Sequence, residues 1–402
     1  MTLASPASSL GDLMRDELRL LVFDRWLLFS VSLLPAGLFL FMLCVFHAGI
    51  VHELPVAVVD MDHSALSRSL IRCYDASSGL TIQQYASQKA AASALRSGRV
   101  YGIIYVPGNL EQDLRTGRSP QITVFDNFQT LLIGKSLESS LVRAHATYTA
   151  QMATLRGLGR GNVQLVQAQG IAVTTRKQIT PLYNMGFNYA QFLITGLLPA
   201  IWQILMVAVM ILVWFAEERR RGIAAWLQTR PFSKTVIRLV FYQAVFLVQG
   251  VSFLALFLWQ GWPFHGGFAP LFLAQWLTIL ACQAIGTVYA LCIAEAPRAF
   301  SMAASYTAPG FAFIGVTFPA TDMGVFPQMW RALLPVSHYM EIQIGILNYG
   351  VSPVVLLPSF RALCCFLPLF LLVVLVLFLR RRAGSESASF PVPQAALKGE
   401  KS

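Results

Sequence analysis

Apolar residues follow one another along this chain in unusually long runs. A stretch of about 20 apolar residues crosses the hydrocarbon core of a bilayer. Six stretches reach or approach that length: Trp26–Phe46, Phe187–Ala216, Leu239–Trp262, Phe268–Ala294, Ala299–Phe318 and Ala362–Leu379. The first is too long for a signal peptide and has no small-x-small cleavage site behind it, so it is expected to persist as a span. Ahead of it, apolar and charged positions alternate at helical spacing from Met14 to Phe23. That pattern predicts an amphipathic helix within residues 1–25, lying on the membrane surface.

Between the first two spans the period changes. Val56–Asp60 reads as a buried strand, Ser64–Tyr74 as a helix and Leu80–Tyr85 as a strand. Ser87–Ser97 reads as a helix with Ser87 as its cap, Val100–Val106 as a strand ending at Pro107, Leu110–Arg115 as a short helix and Gln121–Phe125 as a strand. A longer helix is expected from about Thr130 to Met152, then a looser stretch to Thr180. Alternating strands and helices predict a small α/β domain over residues 49–185. After the fifth apolar stretch, Pro319, Pro327, Pro335, Pro353 and Pro358 punctuate residues 319–361, although Trp330–Leu334 and Tyr339–Leu347 are amphipathic or apolar. Short helices re-entering the outer leaflet are expected there, sheltered by protein. From Ala383 the chain is rich in Ser, Pro and Ala and is expected to be a disordered tail, residues 383–402.

Composition narrows the class. The chain is 56% hydrophobic and 12% charged, with mean hydropathy +0.59. Soluble domains carry about 25% charged residues, so an ordinary soluble enzyme is excluded. The formal charge is +11. The basic residues gather beside the apolar runs: Arg15, Arg19 and Arg25 before the first, Arg219, Arg220, Arg221, Arg230, Lys234 and Arg238 between the second and third, Arg298 between the fourth and fifth, Arg380, Arg381 and Arg382 after the sixth. With six spans these segments share one side, and positive charge is retained in the cytoplasm. The expected fold is therefore an α-helical polytopic membrane protein of six transmembrane helices. The first occupies residues 26–48, the others lie within 186–382, both termini are cytoplasmic, and the inserted α/β domain is extracytoplasmic. The placement of the charge makes membrane lipid, and not nucleic acid, the expected partner of the basic residues.

Little in the sequence carries chemistry. Gly134-Lys-Ser136 invites a phosphate-loop reading, but the motif needs a Gly at position 129, which is Gln129, and the segment reads as helix. His47, His52 and Glu53, and His338 with Glu341, lack the convergence a zinc site needs. Five of the six cysteines lie in or beside apolar runs and only Cys73 lies in the polar segment. No Ser/His/Asp or paired-carboxylate arrangement stands out. The spans hold almost no ionisable residue, which argues against ion-coupled transport. Catalytic, metal-binding and cofactor-binding residues are therefore expected to be none.

The informative stretch is Glu217–Pro231, a short loop between the second and third spans. It opens charged, then offers Gly222, one or two helical turns and Pro231 as a stop. Trp226 and Leu227 read as apolar residues on a loop facing water, and an aromatic there makes a natural anchor for a partner. Glu218-Arg219, Gly222 and Pro231 stand at the spacing found in type 2 ABC exporter permeases, the six-span branch with a large extracytoplasmic domain after span 1, and the loop resembles theirs. Ile223 stands where that family usually has Thr, and Ala225 where it usually has Glu. Pro309, Gly315 and Phe318-Pro319 resemble the family's motif at the end of span 5. Pro335, Tyr339, Glu341 and Gly345 resemble its outer re-entrant motif, with Ile344 in place of a frequent Arg. Leu54–Ser67, Ser97-Gly98 and the strand into Pro107 are also similar, so the resemblance covers nearly the whole chain.

The resemblance implies the permease subunit of an exporter in the cell inner membrane. ATP and Mg²⁺ would sit on a separate ATPase subunit docked on the 217–231 loop and the N-terminal helix. The coupling residues would be Glu218, Arg219, Gly222, Trp226, Leu227 and Pro231. A second permease subunit, identical or paralogous, would complete a pathway lined by spans 2 and 5. Its candidates are Phe187, Asn188, Gln191, Gln203, Ser301, Ser305 and Tyr306. Drug-like or lipid-like substrates and a periplasmic adaptor fit the family. Two other classes stay open: an ATP-driven mechanical or scaffold protein that moves its external domain without transport, and a membrane-bound enzyme.

Overall fold

The computed structural model describes residues 10–46, 53–116, 118, 120–126, 131–159, 188–315, 318 and 320–388. In chain order its elements are α1 (Leu10–Phe23), α2 (Arg25–Val45), β1 (Leu54–Asp60), α3 (Ala65–Asp75), β2 (Leu80–Gln84), α4 (Gln88–Arg96), β3 (Gly102–Val106), α5 (Leu110–Arg115), β4 (Thr123–Asp126) and α6 (Leu131–Gly159). Then come α7 (Tyr189–Arg221), α8 (Ile223–Gln228), α9 (Pro231–Trp259), α10 (Phe268–Cys292), α11 (Ala296–Thr307), α12 (Gly310–Phe313), α13 (Val325–Ala332), α14 (Pro335–Leu347), α15 (Leu357–Cys364) and α16 (Leu369–Ala388). The chain divides into two compact units, Ala48–Tyr189 and the remainder.

The smaller unit holds a four-stranded sheet in the order β2-β1-β3-β4. Strand β1 is central and pairs in parallel with β2 and β3, Val56 lying opposite Ile82 and Gly102, while β4 runs antiparallel to β3. A strand buried on both faces needs a continuous apolar run, and Val56-Ala-Val-Val59 supplies one. Val56 and Val58 join Leu70, Tyr74, Leu137 and Leu141 from α3 and α6 on one face. Ala57 and Val59 meet Ala91 and Ala94 of α4 on the other. Ser64 and Ser87 cap α3 and α4 by accepting the amides of Ser67 and Ala90. Lys135 sits inside α6, as part of a helix. The end of the predicted looser stretch, with His47 and His52, lies outside the described residues.

The larger unit is helical. Among the described residues, five helices are long and apolar enough to cross a membrane: α2, Ala190–Arg221 of α7, α9, α10 and the α15–α16 pair over Leu357–Arg382. The expected fifth span, Ala299–Phe318, is not one continuous helix. It divides into α11 and α12 at Ala308-Pro309, because a proline lacks the N–H that would continue the ladder. The first residues of the expected tail, 383–388, are helical as the end of α16, and 389–402 lie outside the described residues.

Helix α14 is short and buried on most sides. Pro335 occupies its first turn, where a missing N–H costs nothing. Gln203 of α7 accepts the buried amide of Val336 at 2.9 Å. In return, Gln343 of α14 donates to the carbonyl of Thr195 on α7, also at 2.9 Å. That carbonyl is free because Pro199, four residues on, has no N–H to give it. Each helix thus fills a backbone vacancy of the other. Gln275 of α10 donates to the Tyr339 hydroxyl at 3.2 Å and ties a third helix to α14.

Candidate functional site

Helices α7 and α9 are joined by a tight hairpin with α8 at its tip. Gly222 has φ +76° and nothing near a would-be Cβ. Its requirement is therefore conformational, since glycine alone enters that region freely. The Glu218 carboxylate accepts the Ile223 amide, covering one donor at the start of α8. Arg230 is left-handed at φ 49°, and Pro231 then opens α9 at its first turn.

The structure corrects the exposure expected for the loop. Trp226 and Leu227 are each 3% exposed and Ile223 is 8% exposed. All three point into the chain's own core with Trp214 and Leu21. Trp226 meets Trp214 edge to face, centroids 5.1 Å apart. The sequence held the signal: Ile223, Trp226 and Leu227 are spaced i, i+3, i+4, the mark of a packed helix face. The outward residues at the tip are Ala225, Gln228, Thr229 and Arg230, with Glu218 and Arg219 beside them.

The residue that organises this end is Arg238, grouped with the loop charges when read from sequence. It is fully buried about two turns inside α9, and no charged residue follows it in that helix. Its Nε donates to both carboxylate oxygens of Glu17 on α1, at 2.9 and 3.1 Å. Its Nη2 donates to Glu217 of α7 at 2.8 Å. The guanidinium carbon lies 4.9 Å from the Trp214 ring centroid and 5.2 Å from that of Trp226. A planar fork that can pair with carboxylates and stack on aromatics is a role lysine cannot copy. Burying a guanidinium is costly, and here its Nε and Nη2 are paired while Nη1 is buried without a hydrogen-bond partner.

Further pairs bind α1 to the hairpin. Asp16 meets Arg221 at 3.1 Å and Arg220 at 3.8 Å. Asp24 meets Arg219 at 2.8 Å while accepting the Trp26 and Leu27 amides that open α2. Trp214 donates to Thr287 of α10. A small cavity beside the cluster is lined by Leu13, Asp16, Glu17, Glu217, Arg221, Trp226 and Lys234, among others. The result is a block in which α1, the end of α7, α8 and the start of α9 share one charged and aromatic interior.

The second group of sequence candidates is dispersed. Phe187 lies outside the described residues. Asn188 is half-buried just before α7, and Gln191 and Gln203 are buried on α7, Gln203 being bonded to α14. Ser301 and Ser305 are exposed one turn apart on α11. Tyr306 is half-buried and donates to the Leu333 carbonyl. Two faces are thus represented, one turned inward and one outward. Of the re-entrant motif, Glu341 pairs with Arg331 at 2.7 Å and accepts from Ser359, and His338 contacts the Ala332 carbonyl. Gly315 has φ +92° beside the Arg331 guanidinium.

A polytopic helical unit, an α/β insertion after the first span and a helix-tipped hairpin between the next two are the anatomy against which a family model can be weighed. The model described as ABC-2 family transporter protein matches residues 25–376. The chain belongs to this family. No curated protein matches it. As an ABC-2 permease it is a multi-pass membrane transport subunit and not itself an enzyme. The match takes in the hairpin, α11 to α15 and the whole α/β insertion, while α1 precedes it.

Proposed function

We propose that this ABC-2 permease is the membrane half of an exporter whose ATP is hydrolysed on a separate subunit, and that the α7–α8–α9 hairpin receives the stroke. The observation that carries the reading is Arg238. A force applied to α8 reaches Trp226, and through the guanidinium it bears on Glu17 and Glu217 together, so the hairpin tip and α1 move as one body. The ATPase contact falls on the outward face of the tip, Ala225, Gln228 and Arg230, because Trp226 is already occupied within the chain. Gly222 and Pro231 fix the geometry of the tip, and Glu218 covers the start of α8.

In the same reading α11 and α12 together make the fifth of six crossings, both termini are cytoplasmic in the inner membrane, and the α/β unit is extracytoplasmic. The basic residues of the hairpin and of α16 support that orientation. A second permease subunit packs on the exposed face of α11 with Ser301 and Ser305, and a drug-like or lipid-like substrate leaves through the interface. A periplasmic adaptor accords with the family.

The test is reconstitution with the cognate ATPase subunit, a chain carrying ATP-binding motifs. The permease alone should hydrolyse no ATP. Gln228→Glu with Arg230→Glu should lower ATPase co-purification at least about tenfold, the size of a central interface contact. Unchanged binding by this variant would remove the hairpin tip from the interface. ATP turnover with domain motion but no substrate movement would instead support the mechanical alternative.

A further inference from the structure

We propose that the outward face of α1 is a binding surface for anionic phospholipid. The inference rests on how α1 sorts its side chains and does not depend on what the permease exports. One side of α1 packs on the helical unit through Glu17, Leu20 and Leu21. A second side carries Leu10, Met14, Leu18 and Val22, which are 71%, 37%, 50% and 51% exposed. Residues four apart drift by about 40° on a helix, so these four form one row across about 120° of the surface. Arg15 and Arg19, both exposed, border that row. Exposed Trp26 and Phe29 carry the apolar surface onward into the span.

The charges are divided by sign. Residues 10–25 hold four acids and three arginines. Asp16, Glu17 and Asp24 are turned to the hairpin and engaged by Arg220, Arg221, Arg238 and Arg219. Only Asp12 stays outward, 3.9 Å from Arg15. The acids are thereby withdrawn, and what α1 shows to its surroundings is an apolar row edged by cations. A helix of this kind settles at the boundary of headgroup and acyl chain, with its apolar row in the chains. Its arginines then stand at phosphate level, where each basic residue attracts anionic lipid. A solvated helix gains nothing from the row, and a zwitterionic surface gives the arginines no net charge to meet.

The experiment places the photo-reactive residue p-benzoylphenylalanine at Leu18 of the full chain, and separately at Val248, an exposed position in mid-α9 away from this cation row. Both proteins are reconstituted in vesicles of phosphatidylethanolamine and phosphatidylglycerol at three to one. After illumination, mass spectrometry reads the adducts. Position 18 should give lipid adducts in which phosphatidylglycerol exceeds its vesicle share at least about twofold, and position 248 adducts at the bulk ratio. Arg15→Gln with Arg19→Gln should abolish the enrichment while keeping the lipid adducts. Adducts at 18 with protein, or none with lipid, would overturn the assignment in favour of a covering subunit or solvent. Lipid adducts at the bulk ratio would overturn its anionic selectivity. None of these readouts involves ATP or substrate, so the outcome is separate from that of the exporter reading.

Discussion

The Arg238 cluster and the amide bonds around α14 both seal polar groups inside apolar helices, yet one carries three formal charges and the other none. The charged cluster sits near helix ends, beside the hairpin and the surface pairs of Asp16 and Asp24. The neutral set, Gln203, Gln343, Gln275 and Tyr339, occupies the interior of the helical unit. An ion pair repays its desolvation only when its geometry is nearly complete. An amide meeting a vacant backbone group asks less and returns less. Losing one member of the charged cluster should accordingly cost more than losing one member of the amide set. That suits the force-bearing role proposed for the hairpin block, and a short helix that must merely be held in the interior.

The largest break in this comparison is Arg238→Met. It leaves Glu17 and Glu217 buried as like charges and should cost about 3–5 kcal/mol, as one-sided removal of a buried pair does. Thermal unfolding of the purified protein in detergent measures it. Replacing all three residues together, Glu17→Leu, Glu217→Leu and Arg238→Met, should recover most of the loss. A loss below about 1 kcal/mol for the single variant would mean the carboxylates have other support. Trp226→Ala comes next, at about 3 kcal/mol for a buried indole removed. Its cost should fall well short of additive with Arg238→Met, since the two side chains are stacked. On the neutral side, Gln343→Leu strands the Thr195 carbonyl and should cost only about 1 kcal/mol, the scale of interhelical hydrogen bonds in membranes. An Arg238-sized loss there would erase the distinction.

A third pair sharpens it, because pH converts it from neutral to charged. In the α/β unit the Tyr74 hydroxyl lies 2.9 Å from His145 Nδ1. Burial holds the His145 pKa below its ordinary value. The unfolded chain therefore takes up the proton first as pH falls. This contribution to stability should be complete above about pH 6.5 and decline below it. Unfolding midpoints of the full chain at pH 7.5 and 5.5 measure the slope, and His145→Gln should flatten it. It is the smallest effect, since the ring is only half-buried.

Much of this was legible in the pattern of the sequence. Continuous apolar runs announced α2, α7, α9 and α10, and strand-length runs bounded by Ser, Gly and Pro announced β1, β2 and β3. The broken span over α11 and α12 was not, because composition reads Pro309 as one more apolar residue while the backbone reads it as a missing donor. At the hairpin the chemistry of Gly222 and Pro231 was readable, since both act through their own backbone. The inward turn of Trp226 was hidden by the charges around it, although the spacing of Ile223, Trp226 and Leu227 carried it. Arg238 could be seen only as the last of the loop charges, at the edge of an apolar run. Its partner Glu17 comes from a helix far away in the sequence, and no local pattern links them.

That separation bears on how the protein is made. Glu17 and its guanidinium stand 221 residues apart. At about 5–20 residues per second of synthesis, α1 waits roughly 10–40 s for Arg238 to be translated. During that interval Asp16, Glu17 and Asp24 have none of the hairpin arginines to meet, and the first span stands in the bilayer without the helices it will pack on. The amphipathic helix is thus committed to its place only once α9 has begun to emerge, although it precedes α9 by about two hundred residues in the chain. Assembly of the hairpin closes the N-terminal end of the molecule, and a nascent chain stalled before residue 238 should still expose α1 to protease.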